Sequence, residues 1–291
     1  EASYALPDAA GDSVSSTVTL NVATDPEAVL TVPTSGAVVT LTGSNFGPVG
    51  TVVSATYGPY TTTNCSVTVG HSTVVCYTAE GVGTGHTWTL AVKGQSGTPS
   101  SATTSYGAPT ITGLTMLLEE AGHTGLRTTG GETVIVDGTN FGPAVAGNVV
   151  SATYSSGGTV YSATGCVVDV ASPHTRMRCV SVEGVGSGHQ WTVTVGDQAS
   201  SASGAGVTTS YEAASVVSFS GAVDADTRGG EDVVLHGLNF GPSGTTVTAT
   251  YTSTAGQTFT SPSCSVSTAH VAVTCEMAAG VGTGLSWVVV V

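Results

Sequence analysis

Apolar and polar residues alternate with a period of two through much of this chain. The alternation is clearest in Trp191-Thr192-Val193-Thr194-Val195 and is visible, with one apolar residue in a polar slot, in Glu132-Thr133-Val134-Ile135-Val136-Asp137. A two-residue period places every second side chain on one face and predicts half-buried β-strands. Clusters of Gly, Pro and Asn interrupt the strands every 8–12 residues or so, the rhythm of a β-sandwich. No segment reads as a helix; Met116 to Glu120 comes nearest and is too short to nucleate one.

The strands belong to a repeat. Asn45-Phe46-Gly47-Pro48 returns as Asn140-Phe141-Gly142-Pro143 and Asn239-Phe240-Gly241-Pro242. Ala55-Thr56-Tyr57 returns at Ala152-Thr153-Tyr154 and Ala249-Thr250-Tyr251, with the tyrosines spaced by 97 residues each time. Gly81-Val82-Gly83-Thr84-Gly85 precedes Trp88, and the same loop precedes Trp191 and Trp287. Thr104-Ser105-Tyr106 ends the first copy and Thr209-Ser210-Tyr211 the second. Three copies in 291 residues leave each about 95–100 residues, enough for one sandwich core. The expected divisions are an arm at 1–7 and repeats at 8–107, 108–212 and 213–291.

Gly130-Gly131-Glu132, the alternating strand after it, Gly-x-Asn-Phe-Gly-Pro, a cysteine pair and a closing Ser-Tyr together resemble the IPT/TIG family. The match is strongest in the middle copy and good in the third, where Gly229-Gly230-Glu231 recurs. The first copy departs, with Thr34-Ser35-Gly36-Ala37 in place of Gly-Gly-Glu and a longer opening from Asp8 to Pro33. The resemblance implies an immunoglobulin-like fold of the kind found in plexin-type receptors, some transcription factors and long microbial surface proteins. The expected architecture is all-β: three tandem immunoglobulin-like sandwiches in an elongated array. Fold alone does not assign function.

Composition narrows the classes. Charged residues are 8% of the chain against about 25% in a typical domain, so Ser, Thr, Gly or attached glycans must supply solubility. Five basic residues stand against nineteen acidic ones, a net charge of −14 that repels nucleic acid and anionic membranes alike. No apolar run approaches the roughly 20 residues of a membrane span. The chain opens on Glu1 rather than Met, as a mature, trimmed or windowed sequence would.

The six cysteines fall as one close pair per copy, without the tight spacing of a metal site. Each pair brackets an expected hairpin, and the even number of intervening residues allows the two cysteines to sit opposite each other in an antiparallel ladder. Disulfides Cys65–Cys76, Cys166–Cys179 and Cys264–Cys275 are expected, and with them an oxidising, extracellular compartment.

Candidate chemistry is sparse. Phe46, Phe141 and Phe240 read as plugs at the sandwich end, and the three tryptophans as core. The Gly81–Gly85 loop lacks the following helix that a phosphate site needs. His86 and His189 are equivalent, but Leu285 replaces them in the third copy, so a rim position is expected. His71 and His270 fall at hairpin tips and are expected to be exposed. Asp224, Asp226, Glu231 and Asp232 gather near a repeat junction and are the calcium candidates, against a solvated acidic edge. Asn64-Cys65-Ser66 is the one N-glycosylation sequon. No nucleophile–base arrangement is legible. No enzymatic activity and no cofactor are expected.

The third copy runs out at Trp287-Val288-Val289-Val290-Val291, without a closing Ser-Tyr strand, whereas the chain opens with Glu1-Ala2-Ser3-Tyr4-Ala5-Leu6-Pro7. Ser3, Tyr4 and Leu6 are therefore expected to complete the third repeat of a neighbouring copy beside Trp287, Val288 and Val290, giving a head-to-tail extracellular filament or surface stalk. The alternative is an adhesin or receptor ectodomain cut from a longer array. An accessory carbohydrate-binding module lacks an aromatic cluster suited to sugar stacking.

Overall fold

The structure, a computed structural model, describes residues 19–20, 30–118 and 123–291. Among the described residues there is no helix: the chain is all β, with each repeat built from two antiparallel-dominated sheets. Met116 and Leu117, at the nearest approach to a helix, end the strand Thr110–Leu117.

In the first repeat one sheet has the order Thr19–Leu20, Val38–Thr42, Thr73–Tyr77, Thr63–Val69. The other runs Leu30–Val32, Thr103–Tyr106, His86–Val92, Val53–Tyr57, Tyr60–Thr61, with Gln95–Ser96 on the edge of His86–Val92. Alternation becomes burial: Val39 and Leu41 point inward from one sheet, and Val53, Ala55, Tyr57, Trp88 and Leu90 from the other. Phe46 closes one end of this core, fully buried. Each large apolar side chain contributes roughly 1.5–3 kcal/mol by leaving water.

The second repeat copies this plan. Thr110–Leu117, Thr133–Thr139, Arg176–Val180 and Thr164–Val168 form one sheet, and Thr159–Ser162, Val150–Ser156 and His189–Val195 the other, with Thr208–Thr209 and Gln198–Ala199 both on His189–Val195. In the third, Ser215–Ser220, Asp232–Leu238, Ala272–Glu276 and Cys264–Thr268 form the first sheet. The second has three strands among the described residues, Thr258–Thr260, Thr248–Thr252 and Ser286–Val290, so the last is an edge.

By contact density the chain divides into two units. The first takes in the described residues up to Ala108 with Asn140–Asn148 and Val195–Gln198; the second holds the remainder, including the third repeat.

All three expected disulfides are formed, with Cα–Cα separations of 4.2, 4.1 and 4.1 Å. The ladders put the cysteines face to face: Cys264 pairs directly with Cys275, and the registers through Ser66–Val75 and Val167–Arg178 do the same for the other two. In the first two repeats a bulge precedes the cysteine, at Asn64 and Gly165, both with positive φ. Loops of this size suggest roughly 3 kcal/mol each in the chain-entropy model.

The Gly-Gly-Glu motif is a turn device. The Glu132 carboxylate, 2% exposed, accepts the backbone N–H of Arg127 (3.1 Å) and the Arg127 guanidinium (2.5 Å). Glu231 accepts the equivalent N–H from Asp226; in the first repeat Ala37 stands in place of the glutamate, and its own N–H donates to Thr78 Oγ1 as that of Glu132 does to Ser181 Oγ. Gly130 and Gly229, each two residues before its glutamate, and Gly36, one residue before Ala37, have positive φ and lie against backbone that leaves no room for a side chain.

Candidate assembly site in the third repeat

The site is best read from the two repeats in which it is filled. In the first, Tyr106 at the end of Thr103–Tyr106 is buried beside Tyr57. The N–H of Ala79 donates to the Tyr57 hydroxyl (2.7 Å), the two tyrosine hydroxyls lie 2.8 Å apart, and Tyr106 donates to the Ala79 carbonyl (2.8 Å). One peptide residue and two hydroxyls thus form a closed ring of hydrogen bonds. The second repeat reproduces it with Val182, Tyr154 and Tyr211 at 3.0, 2.7 and 2.6 Å. Burial raises the pKa of all four tyrosines, so they remain protonated.

The other two residues of the closing motif have equally repeated tasks. Thr104 Oγ1 accepts the indole N–H of Trp88 (3.1 Å), and Thr209 Oγ1 that of Trp191 (2.9 Å). Ser105 Oγ accepts the N–H of Gly85 and Ser210 Oγ that of Gly188, each at 3.0 Å. The closing strand lies between two neighbours: antiparallel to the tryptophan strand and parallel to Leu30–Val32, with Leu126 bridging Tyr211 in the same parallel sense in the second repeat.

His86 and His189 belong to this seat rather than to an open rim. His189 is fully buried, its Nδ1 is 3.2 Å from the Thr209 carbonyl, and its ring meets Tyr154, Tyr161 and Tyr211 edge-on. Burial lowers its pKa, partly opposed by the Thr209 and Val185 carbonyls. His86 packs likewise on Tyr57, Tyr60 and Tyr106. The histidine and the closing tyrosine occur together, and where Leu285 replaces the histidine the surroundings change.

In the third repeat that region is a cavity of about 400 Å³, lined by Tyr251, Phe259, Ala278, Gly280, Val281 and Leu285 among others. The half-ring is present: the N–H of Ala278 donates to the Tyr251 hydroxyl (2.8 Å), which reaches back toward the Ala278 carbonyl at 3.3 Å. Gly280 stands where Gly81 and Gly184 approach the closing tyrosines. Trp287 is half-buried and tilted 36° to Tyr251, whereas Trp88 and Trp191 are fully buried and stack on their tyrosines at 13° and 15°.

The sequence-predicted assembly residues divide. Ser3, Tyr4 and Leu6 lie outside the described residues. Trp287 borders the seat. Val288 and Val290 are exposed and alternate with Trp287 and Val289, which pack on the core, so the apolar slot lies beside Trp287 and Leu285 rather than beside Val288 and Val290. The signal for the seat was in the sequence as the repeated Thr-Ser-Tyr; that its three side chains serve an indole, a glycine N–H and a second tyrosine was not.

The remaining candidates have other surroundings. Asp224 and Asp226 both line the cavity, and Asp226 is clamped by Arg228 (2.6 Å), whose side chain and backbone N–H hold the carboxyl below its usual pKa range. Glu231 is used by the turn described above, and Asp232 pairs with Glu276 in the ladder. Among the described residues no three His, Cys, Asp or Glu side chains form a cation-holding group. Asn64 is exposed at its bulge. His71 is exposed at its hairpin tip, but His270 is half-buried, with Nδ1 3.0 Å from Thr128 Oγ1, a correction to the expected exposure. No helix among the described residues is long and apolar enough to cross a membrane.

No curated protein matches the chain. Among solved structures, that of Yersinia pseudotuberculosis InvD aligns over 96% of this chain and 85% of its own length, with 15% identity and a TM-score of 0.25, a likeness too weak to carry an argument. The family model for the IPT/TIG domain matches residues 29–106, the copy that departs most from Gly-Gly-Glu. The chain therefore contains an IPT/TIG domain at residues 29–106, and the landmarks of that domain recur in the two repeats that follow.

Proposed function

We propose that this chain is a non-catalytic structural subunit of an extracellular filament or cell-surface stalk, with copies joined head to tail by strand donation. One observation carries the reading. Among the described residues, the third repeat has a cavity and an unpaired strand edge at the position where the other two repeats seat Thr-Ser-Tyr. Ser3-Tyr4 of a second copy has the matching sequence. Its tyrosine would complete the ring begun by Tyr251 and Ala278, and its backbone would pair along Ser286–Val290. Donor and acceptor lie at opposite ends of the sequence, so the contact is heterologous and propagates. Three disulfides and scarce charge suit an oxidising exterior.

A second reading, an adhesin or receptor ectodomain within a longer array, draws on the same seat. In the first two repeats the closing strand belongs to the same polypeptide, and a downstream Ser-Tyr segment would fill the third in the same way. Deletion of residues 1–7 separates the two. Strand donation requires filaments, imaged by electron microscopy, to be lost while circular dichroism still reports folded β-sandwiches. Filaments from the trimmed chain would rule it out.

A further inference from the structure

Two packings recur where one repeat follows another, and among the described residues each leaves an unmatched half. Within the first unit, Val82 lies against Gly142 of the next Asn-Phe-Gly-Pro turn, and a side chain on Gly142 would strike it. Within the second unit, Val185 lies against Gly241 in the same way. There His270, at a hairpin tip with positive φ, sets Nδ1 3.0 Å from Thr128 Oγ1 and Nε2 3.6 Å from Glu183. Asn140 Nδ2 donates to the Ala108 carbonyl and Asn239 Nδ2 to that of Ala213.

Burial follows the same period. Thr34 and Thr128 are buried and Val82 and Val185 half-buried, but the equivalent Thr227 is exposed and Val281 is 62% exposed. On the opposite face, Gly142 and Pro143 are buried, as is Gly241, with Pro242 half-buried; Gly47 is half-buried and Pro48 exposed. His71 keeps the positive φ of His270 and Asn45 that of Asn140 and Asn239, and both are exposed. Conformations that cost energy are thus maintained on a face with the shape of a joint.

We infer that the Val281 loop of one copy seats on the Gly47–Pro48 turn of a second copy, with Thr227 against His71, reproducing between molecules the joint made by Val185, Gly241, Thr128 and His270. A second copy is the occupant because this chain carries both halves, each shaped as in the internal joints. The proposal rests on the head-to-tail reading for the order of the copies, but uses a different surface from the strand seat at its Pro48 side. Ala279 stands where Glu80 and Glu183 stand, so this joint lacks the acid that faces His270.

The test is sedimentation velocity of the full chain with Pro48→Arg, Val281→Glu and the double variant, beside binding of a synthetic peptide of residues 1–7 to the chain lacking them. Each single variant should weaken self-association about tenfold or more, and the double variant should regain most of it through the new Arg–Glu pair. Pro48→Arg should leave peptide binding unchanged. Wild-type association in the Pro48→Arg chain, or no recovery in the double variant, overturns the joint. A peptide that does not bind, with the charge-swap pattern intact, overturns strand donation and leaves the joint standing. A wild-type chain that stays monomeric at high concentration overturns both.

Discussion

The hydroxyls of Tyr154 and Tyr211 lie 2.7 Å apart, and together they carry a chain of hydrogen bonds from the N–H of Val182 back to its own carbonyl. The direction that puts a proton in the short 2.6 Å contact runs from Val182 N–H to Tyr154, Tyr154 to Tyr211, and Tyr211 to the Val182 carbonyl, with the Tyr154–carbonyl contact longer at 3.4 Å. The closing strand is therefore held by a directional device as well as by buried area.

Tyr211→Phe keeps the ring and removes the second hydroxyl, leaving the Tyr154 proton with only the more distant Val182 carbonyl at 3.4 Å. The expected loss is about 1–2 kcal/mol, read from the midpoint of urea unfolding. At high pH the unfolded chain ionises its tyrosines near 10 while the buried ones hold their protons, so the unfolded state binds fewer protons. Stability should be full below pH about 10 and fall above it. Tyrosinate absorbance at 295 nm should rise in two stages, the second coinciding with loss of structure.

His189 works in the other direction. Its folded pKa is depressed by burial, so the unfolded chain takes up the proton first as pH falls. Its contribution is complete above the unfolded value of about 6.5 and is lost as pH drops below it. His189→Leu, the residue type of the third repeat, should flatten the dependence of the unfolding midpoint between pH 7 and 5; an unchanged slope would place the acid sensitivity elsewhere.

Glu132 is almost completely buried and is held by Arg127 and Ser181. Glu132→Ala removes the acceptor for the Arg127 N–H and the partner of its guanidinium, at a cost of about 2–3 kcal/mol in thermal or chemical unfolding. Glu231→Ala should cost well under half as much, because Glu231 is exposed.

Within the Thr-Ser-Tyr motif the proposed donor differs from the internal closing strands in one residue: Ala2 stands where Thr104 and Thr209 take up an indole N–H. Ala2→Thr should give Trp287 that acceptor and tighten binding of the 1–7 peptide about fivefold, roughly 1 kcal/mol. Trp287 fluorescence reports it directly, with a blue shift as the indole leaves water.

The amino-acid pattern by itself determined the all-β class, the three copies, the hairpin disulfides and the plugging role of Phe46, Phe141 and Phe240. These follow from period-two alternation, even cysteine spacing and turn chemistry, which act over a few residues and repeat in register. Tertiary structure decided what lies far apart in sequence. Tyr57 and Tyr106 meet because the closing strand enters between two others, and no local pattern records which hydroxyl faces which. His189 reads as a rim residue because its partner tyrosines are 28 and 35 residues before it and 22 after; folding brings them around one imidazole. His270 reads as a free hairpin tip until Thr128, 142 residues away, is set against it. Val288 and Val290 read as a slot because alternation gives two faces without saying which is inward, and packing of Trp287 and Val289 on the core settles that choice.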